Sequence, residues 1–139
     1  MAEKEYHVLK EPDFPQREYE TRYKNARELM ETQNLDAILI MEEVNLAYFS
    51  GFRKILPLGS KVRTYMLQFF ILPRDSSPLL IVPLEMRGNA DSMTWIDDIK
   101  FFQSEIVYLP VIDPITVLLE TLEELKLTNG TIGFEFGEG

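Results

Sequence analysis

The chain has 139 residues, 23 acidic against 14 basic side chains, one histidine, no cysteine and a formal charge of −9. Nucleic acid is excluded as a natural partner, because a polyanion is repelled by a net acid and no basic run offers a phosphate footprint. The absence of cysteine excludes disulfides, thiolate zinc sites and a cysteine nucleophile, and fits a reducing cytoplasm. The length suits one domain, and no apolar run approaches the ~18 residues of a membrane span.

Residues 1–16 are polar and broken by Pro12 and Pro15, without the apolar centre of a signal peptide, and read as an arm preceding a domain at 17–139. Residues 17–33 read as an amphipathic helix with Tyr19, Tyr23, Ala26 and Met30 on one face. Glu18–Arg22 and Glu20–Lys24 are i,i+4 pairs on its wet side, and Asn34 is the stop. Residues 36–41 form a continuous apolar run, the pattern of a strand covered on both faces. A short helix at 44–50 is closed by Gly51, and 55–63 is a loop broken by Pro57 and Gly59.

Residues 65–72 are the strongest strand signal, and 79–82 follow after a turn at 73–78. Six connecting residues are too few for a parallel crossover, so these two strands must pair antiparallel. A helix is expected over 85–94, with weaker strands at 99–102 and 106–109. Asp113 followed by Pro114 starts a helix whose stripe is Ile115, Leu118, Leu119, Leu122 and Leu125 and whose end is Asn129-Gly130. Residues 131–136 make a last strand. Helices interleaved with strands, and one hairpin among them, give an α/β domain with a mixed sheet and helices on both faces.

The chemistry-bearing residues are sparse. His7 is the only imidazole and sits in the polar arm, so a histidine-dependent triad has no support. Glu42-Glu43, Asp97-Asp98 and Glu135 with Glu138 are the carboxylate groupings, but neighbours in a strand point to opposite faces and rarely share a metal. No phosphate-binding glycine motif occurs. A phospho-acceptor receiver would need its acids at Glu42 and Glu43, and the embedded hairpin argues against that topology. Phe52, Arg53, Lys54, Lys61, Arg63 and Tyr65 bracket a cationic loop in an acidic protein. Such a cluster can hold a carboxylate, since guanidinium donates two parallel hydrogen bonds; the competing reading is a solvated loop that balances nearby acids.

Six segments then fall into a recognisable order: Tyr23 with Ala26-Arg27-Glu28-Leu29-Met30, Leu35-Asp36-Ala37-Ile38-Leu39-Ile40, Asn45 with Tyr48-Phe49-Ser50-Gly51-Phe52, Pro78-Leu79-Leu80-Ile81-Val82-Pro83, Trp95-Ile96-Asp97-Asp98-Ile99 and Gly130-Thr131-Ile132-Gly133-Phe134-Glu135. Over 17–139 this resembles the N-terminal domain of the creatinase, prolidase and aminopeptidase P family. The resemblance implies a ribonuclease-H-like mixed sheet that precedes a "pita-bread" catalytic domain holding two divalent ions (manganese, cobalt or zinc) on Asp, His and Glu ligands. One histidine cannot supply that set, so the expectation is a non-catalytic half, without catalytic residues, metal ligands or a cofactor of its own, ending just before the catalytic domain.

The resemblance further implies a homodimer, contact with the chain's own C-terminal catalytic domain, and a wall around the partner's site for a small peptide or amidine-type substrate. The family's carboxylate-reading arginine corresponds to Arg63, before Thr64-Tyr65-Met66; Val62 stands where the family has an aromatic, and Phe52 is the substitute. A catalytically silent peptide- or protein-binding module of the same fold is the alternative. If the chain dimerises, Phe101, Phe102 and Tyr108 are edge aromatics that could take part, with core packing as the competing fate of each.

Overall fold

The computed structural model describes residues 9–53, 67–103 and 111–135. Among them, α1 (Gln16–Thr32), β1 (Ala37–Ile40), α2 (Glu43–Ser50), β2 (Phe69–Pro73), β3 (Leu79–Pro83), α3 (Arg87–Met93), β4 (Asp98–Phe102), α4 (Pro114–Glu124) and β5 (Ile132–Phe134) build one five-stranded sheet in the order β4-β3-β2-β1-β5. The sheet is mixed. β1 pairs with β2 and β2 with β3 antiparallel, whereas β1–β5 and β3–β4 are parallel. The hairpin expected from the six-residue turn is present, with Phe69 opposite Ile81 and Ile71 opposite Leu79.

Period-2 alternation sorts the strands between two cores. Ile40, Phe70, Leu72, Leu80 and Val82 face a core closed by α1, α2 and α3, with Tyr19, Tyr23, Met30, Leu46 and Ala90 from the helices. Ala37, Leu39, Phe69, Ile71, Leu79 and Ile81 face the opposite core, closed by Val117 and Leu118 of α4. β1, β2 and β3 are therefore apolar at every position, as the continuous run over 36–41 required, whereas the edge strand β4 carries Asp98 and Lys100.

The tyrosine face of α1 lies as the periodicity predicts, and Glu18 pairs with Arg22 at 3.2 Å. Asn34 ends this helix in the left-handed region at φ 55°, with Asn34 N–H bonded to Glu31 O and Leu35 N–H to Met30 O. That reciprocal pattern satisfies carbonyls the helix end would leave bare. Gly51 does the same for α2 at φ 82°, where a β-carbon would meet Met93 O at 2.7 Å. Residues ahead of α1 are tied down: Glu11 N–H donates to Ser92 O, Lys10 to Thr94 O and the Trp95 indole to Phe14 O. The Arg22 guanidinium lies 4.8 Å from the Phe14 ring centre and 4.2 Å from that of Tyr48, joining this segment to both helices.

Three expectations need correction. The helix over 85–94 is a 3₁₀ turn at Leu84–Met86 followed by α3, because Met86 at φ −102° and ψ 15° interrupts the α geometry. The α4 stripe is rotated: Leu118 is buried, but Ile115 and Leu119 are exposed, and Val117 and Thr121 turn inward. Thr121 is tolerated there because its hydroxyl donates to Val117 O at 2.7 Å. Finally, α4 ends at Glu124 instead of Asn129, since Lys126 takes the left-handed position and Leu127 N–H reaches back to Leu122 O, burying the Leu127 side chain. The Asp113 cap stands as expected, accepting from Thr116 N–H at 2.9 Å. The strand at 106–109, the loop at 55–63 and Tyr108 lie outside the described residues. Phe102 is buried and Phe101 packs against the core.

Candidate functional site

The connection from β1 into α2 brings chemistry to the carboxyl end of β1, the end at which α/β sheets receive ligands. Ile40, the last residue of β1, pairs with Phe70, so Gln68, just before β2, stands at that same end. Glu43, Val44 and Ala47 of α2 join Phe52, Arg53 and Gln68 around a groove of about 370 Å³. Phe52 is only 1% exposed and belongs to the core cluster, so it forms a floor, while Val44, 77% exposed, forms an open lip. The Phe52 N–H donates to Ser50 Oγ, which in turn donates to Leu46 O, fixing the turn that carries the ring inward. Arg53 pairs with Asp13 at 3.0 Å on the surface. Gln68 is 4% exposed, and its Oε1 has no hydrogen-bond partner among the described residues.

Glu135 belongs to the same end. It follows β5, which runs parallel to β1, and its carboxylate accepts from Met41 N–H at 2.8 Å, Glu42 N–H at 2.9 Å and the Asn45 amide. The start of α2 has no side-chain cap of its own, and Glu135 supplies the negative charge that free amides and the helix dipole favour. A carboxylate engaged in that way is a structural ligand of a helix end. Among the described residues no three His, Cys, Asp or Glu side chains converge to hold an ion.

A second, larger groove of about 760 Å³ runs between α1, the β2–β3 turn and residues 95–98. Its arginines are engaged by the fold. Arg27 donates to Pro73 O at 3.1 Å and to Ser76 O, and Arg74 donates to Leu35 O and pairs with Asp36 at 3.4 Å. Its tyrosines are neutral structural groups. Burial pushes the Tyr23 phenol far above its ordinary 10.0 while its hydroxyl donates to Phe49 O, and burial followed by the Asp13 charge raises Tyr19.

Of the predicted site residues, Phe52 lines the smaller groove, and Arg63, with Lys54, Lys61 and Tyr65, lies outside the described residues, as do His7 and Glu138. Gln68 escaped the sequence reading, although a lone amide inside the aromatic run 65–72 was the available signal. The role of Glu135 had no local signal, because its partners are 90 to 94 positions away.

Residues 22–138 match the Creatinase/Prolidase N-terminal domain, and the chain belongs to that family. Solved structures share the fold, three of them as follows. A dipeptidase from Pyrococcus horikoshii gives a TM-score of 0.62 at 20% identity, over 85% of this chain and 29% of that one. An X-Pro aminopeptidase from Thermotoga maritima gives 0.58 at 23% identity, over 82% and 26%. An Xaa-Pro aminopeptidase from Streptococcus pyogenes gives 0.63 at 20% identity, over 90% and 79%. The chain thus spans under a third of the first two. A search of the curated proteins gave no match.

Proposed function

We propose that this chain serves as the non-catalytic N-terminal domain of a metal-dependent Xaa-Pro dipeptidase or aminopeptidase, or of a creatinase-like hydrolase, with residues 1–16 as an arm and 17–139 as the domain. The family match over residues 22–138 carries this reading, and the peptidase names of the structural relatives support it. A C-terminal catalytic domain holds the manganese, cobalt or zinc pair and performs hydrolysis, which needs both ions on one substrate. The N-terminal domain supports a homodimer in the cytoplasm and walls the partner's active site. There Phe52 offers an apolar face and Arg63 holds the carboxylate of a small peptide or amidine-type substrate through paired N–H groups.

The test uses a protein that joins this chain to its catalytic domain. Arg63→Ala should raise KM for carboxylate substrates roughly 10- to 150-fold, equivalent to about 1.5–3 kcal/mol for hydrogen bonds to a charged group. An unchanged KM removes Arg63 from the site. Turnover of an Xaa-Pro peptide by these 139 residues alone, with cobalt or manganese supplied, would overturn the non-catalytic role.

A further inference from the structure

The apolar residues of α4 are only partly consumed by the fold. Val117, Leu118 and Thr121 pack inward, whereas Ile115 and Leu119, at i and i+4 on one flank, are 43% and 59% exposed. Leu122, partly buried against the core, lies at the border of the two faces. Val111 and Ile112, just ahead of the helix, are exposed as well. A helix apolar on more than its packed face needs a second surface to cover it, and a contiguous exposed apolar patch marks a contact site.

The two ends of this flank carry opposite charges. Asp113 spends Oδ2 on the N–H and hydroxyl of Thr116 and keeps its other oxygen without a partner among the described residues, and Lys126 is exposed past the last turn. Leu119 stands midway between them in the sequence. A two-fold axis through Leu119 therefore brings each Lys126 to the partner's Asp113 and each Ile115 to the partner's Leu122, with the helix dipoles opposed. The net charge of −9 opposes self-association, but at physiological salt a Debye length of about 8 Å confines that repulsion to neighbouring charges. We infer that α4 is a self-association surface: two copies of this chain pack their α4 helices antiparallel through Ile115, Leu119 and Leu122, with Lys126 of each beside the partner's Asp113. The inference rests on the reading that the chain forms a homodimer, and adds the surface that joins the copies.

Sedimentation equilibrium on the 139-residue chain at physiological salt should show a reversible dimer. Leu119→Lys makes the chain less acidic, so a lost dimer could not be blamed on added net charge. It should weaken association roughly tenfold or more while leaving Tm unchanged, because the side chain is exposed in the single copy. A fall in Tm would show that Leu119 packs within its own chain and overturn the proposal. Lys126→Glu should weaken the dimer several-fold; an unchanged or tighter dimer would overturn the antiparallel register. The chain has no cysteine, so Leu119→Cys gives a clean geometric check. Mild oxidation should link two copies through position 119, whereas Leu29→Cys, 67% exposed on α1, should stay unlinked. Equal linking at the two positions, or a chain that stays monomeric up to about 1 mM, would overturn the proposal. The same measurement on the protein joined to its catalytic domain separates this from the wider reading. A joined dimer indifferent to Leu119→Lys leaves the homodimer and removes α4 from it, whereas a joined monomer removes both.

Discussion

The groove beneath α1 has about twice the volume of the groove beside Phe52, about 760 against 370 Å³, yet it offers less free chemistry. In the larger one, Arg27 holds the carbonyls of Pro73 and Ser76, Arg74 holds Leu35 O and Asp36, and the buried Tyr23 hydroxyl donates to Phe49 O. Those bonds fasten α1 and the strand that follows it to the β2–β3 turn. In the smaller one, the buried Gln68 amide oxygen lacks a partner among the described residues and the Val44 side chain stands in solvent. Concavity marks where elements fail to meet. A buried polar atom left unpaired among the described residues is an exception to the usual rule of paired interiors.

The largest test of this contrast is Phe52→Ala. Because the ring is part of the core as well as the groove floor, the substitution should cost about 3–5 kcal/mol in chemical denaturation. A loss below about 1 kcal/mol would mean the floor is not load-sharing with the core and that Phe52 is free to serve a ligand alone.

Arg27→Met probes the larger groove. It strips two carbonyls of their donor while keeping most of the aliphatic stem, and should cost about 1–3 kcal/mol. Gln68→Met removes a buried oxygen that is unpaired among the described residues and should stabilise the fold, so opposite signs for the two substitutions would separate a groove that is internally paired from one that is not. Equal signs would collapse the distinction.

Tyr23→Phe is the smallest, at about 1 kcal/mol near neutral pH, since it removes the donor to Phe49 O. It also has a pH signature. A phenol whose folded pKa lies above its unfolded 10.0 keeps its proton in the folded chain and loses it first in the unfolded one. Stability is then fully present below pH 10 and declines as pH rises beyond it. Urea denaturation from pH 8 to 11 should show that decline in the unsubstituted chain and a shallower one in Tyr23→Phe. Identical slopes would show that Tyr23 titrates alike in both states.

Where the sequence was informative, the signal was local. The helix at α1 follows from the spacing of its tyrosines, the cap of α4 from Asp113 beside Pro114, and the hairpin from the impossibility of a six-residue crossover. Where it misled, a neighbour decided. The apolar residues of α4 surround more than one stripe, so docking on Ala37, Leu39 and Ile81 selected Val117 and Leu118 and left Ile115 and Leu119 outside. Of the candidate site, Phe52 was legible because it follows a glycine that must close a helix, but its depth in the core was not.

The linear chain by itself determined which segments become helices and strands, the antiparallel turn between β2 and β3, and the family to which the ordered segments belong. All of these depend on interactions within a few residues or on pattern alone. The tertiary structure alone decided that Glu135 would cap α2, that Arg27 and Arg74 would be fastened to backbone carbonyls, and that Gln68 would be buried with its oxygen unpaired among the described residues. Each of these joins groups far apart in the chain, and whether a polar atom finds a partner is settled only when the strands beside it have taken their register.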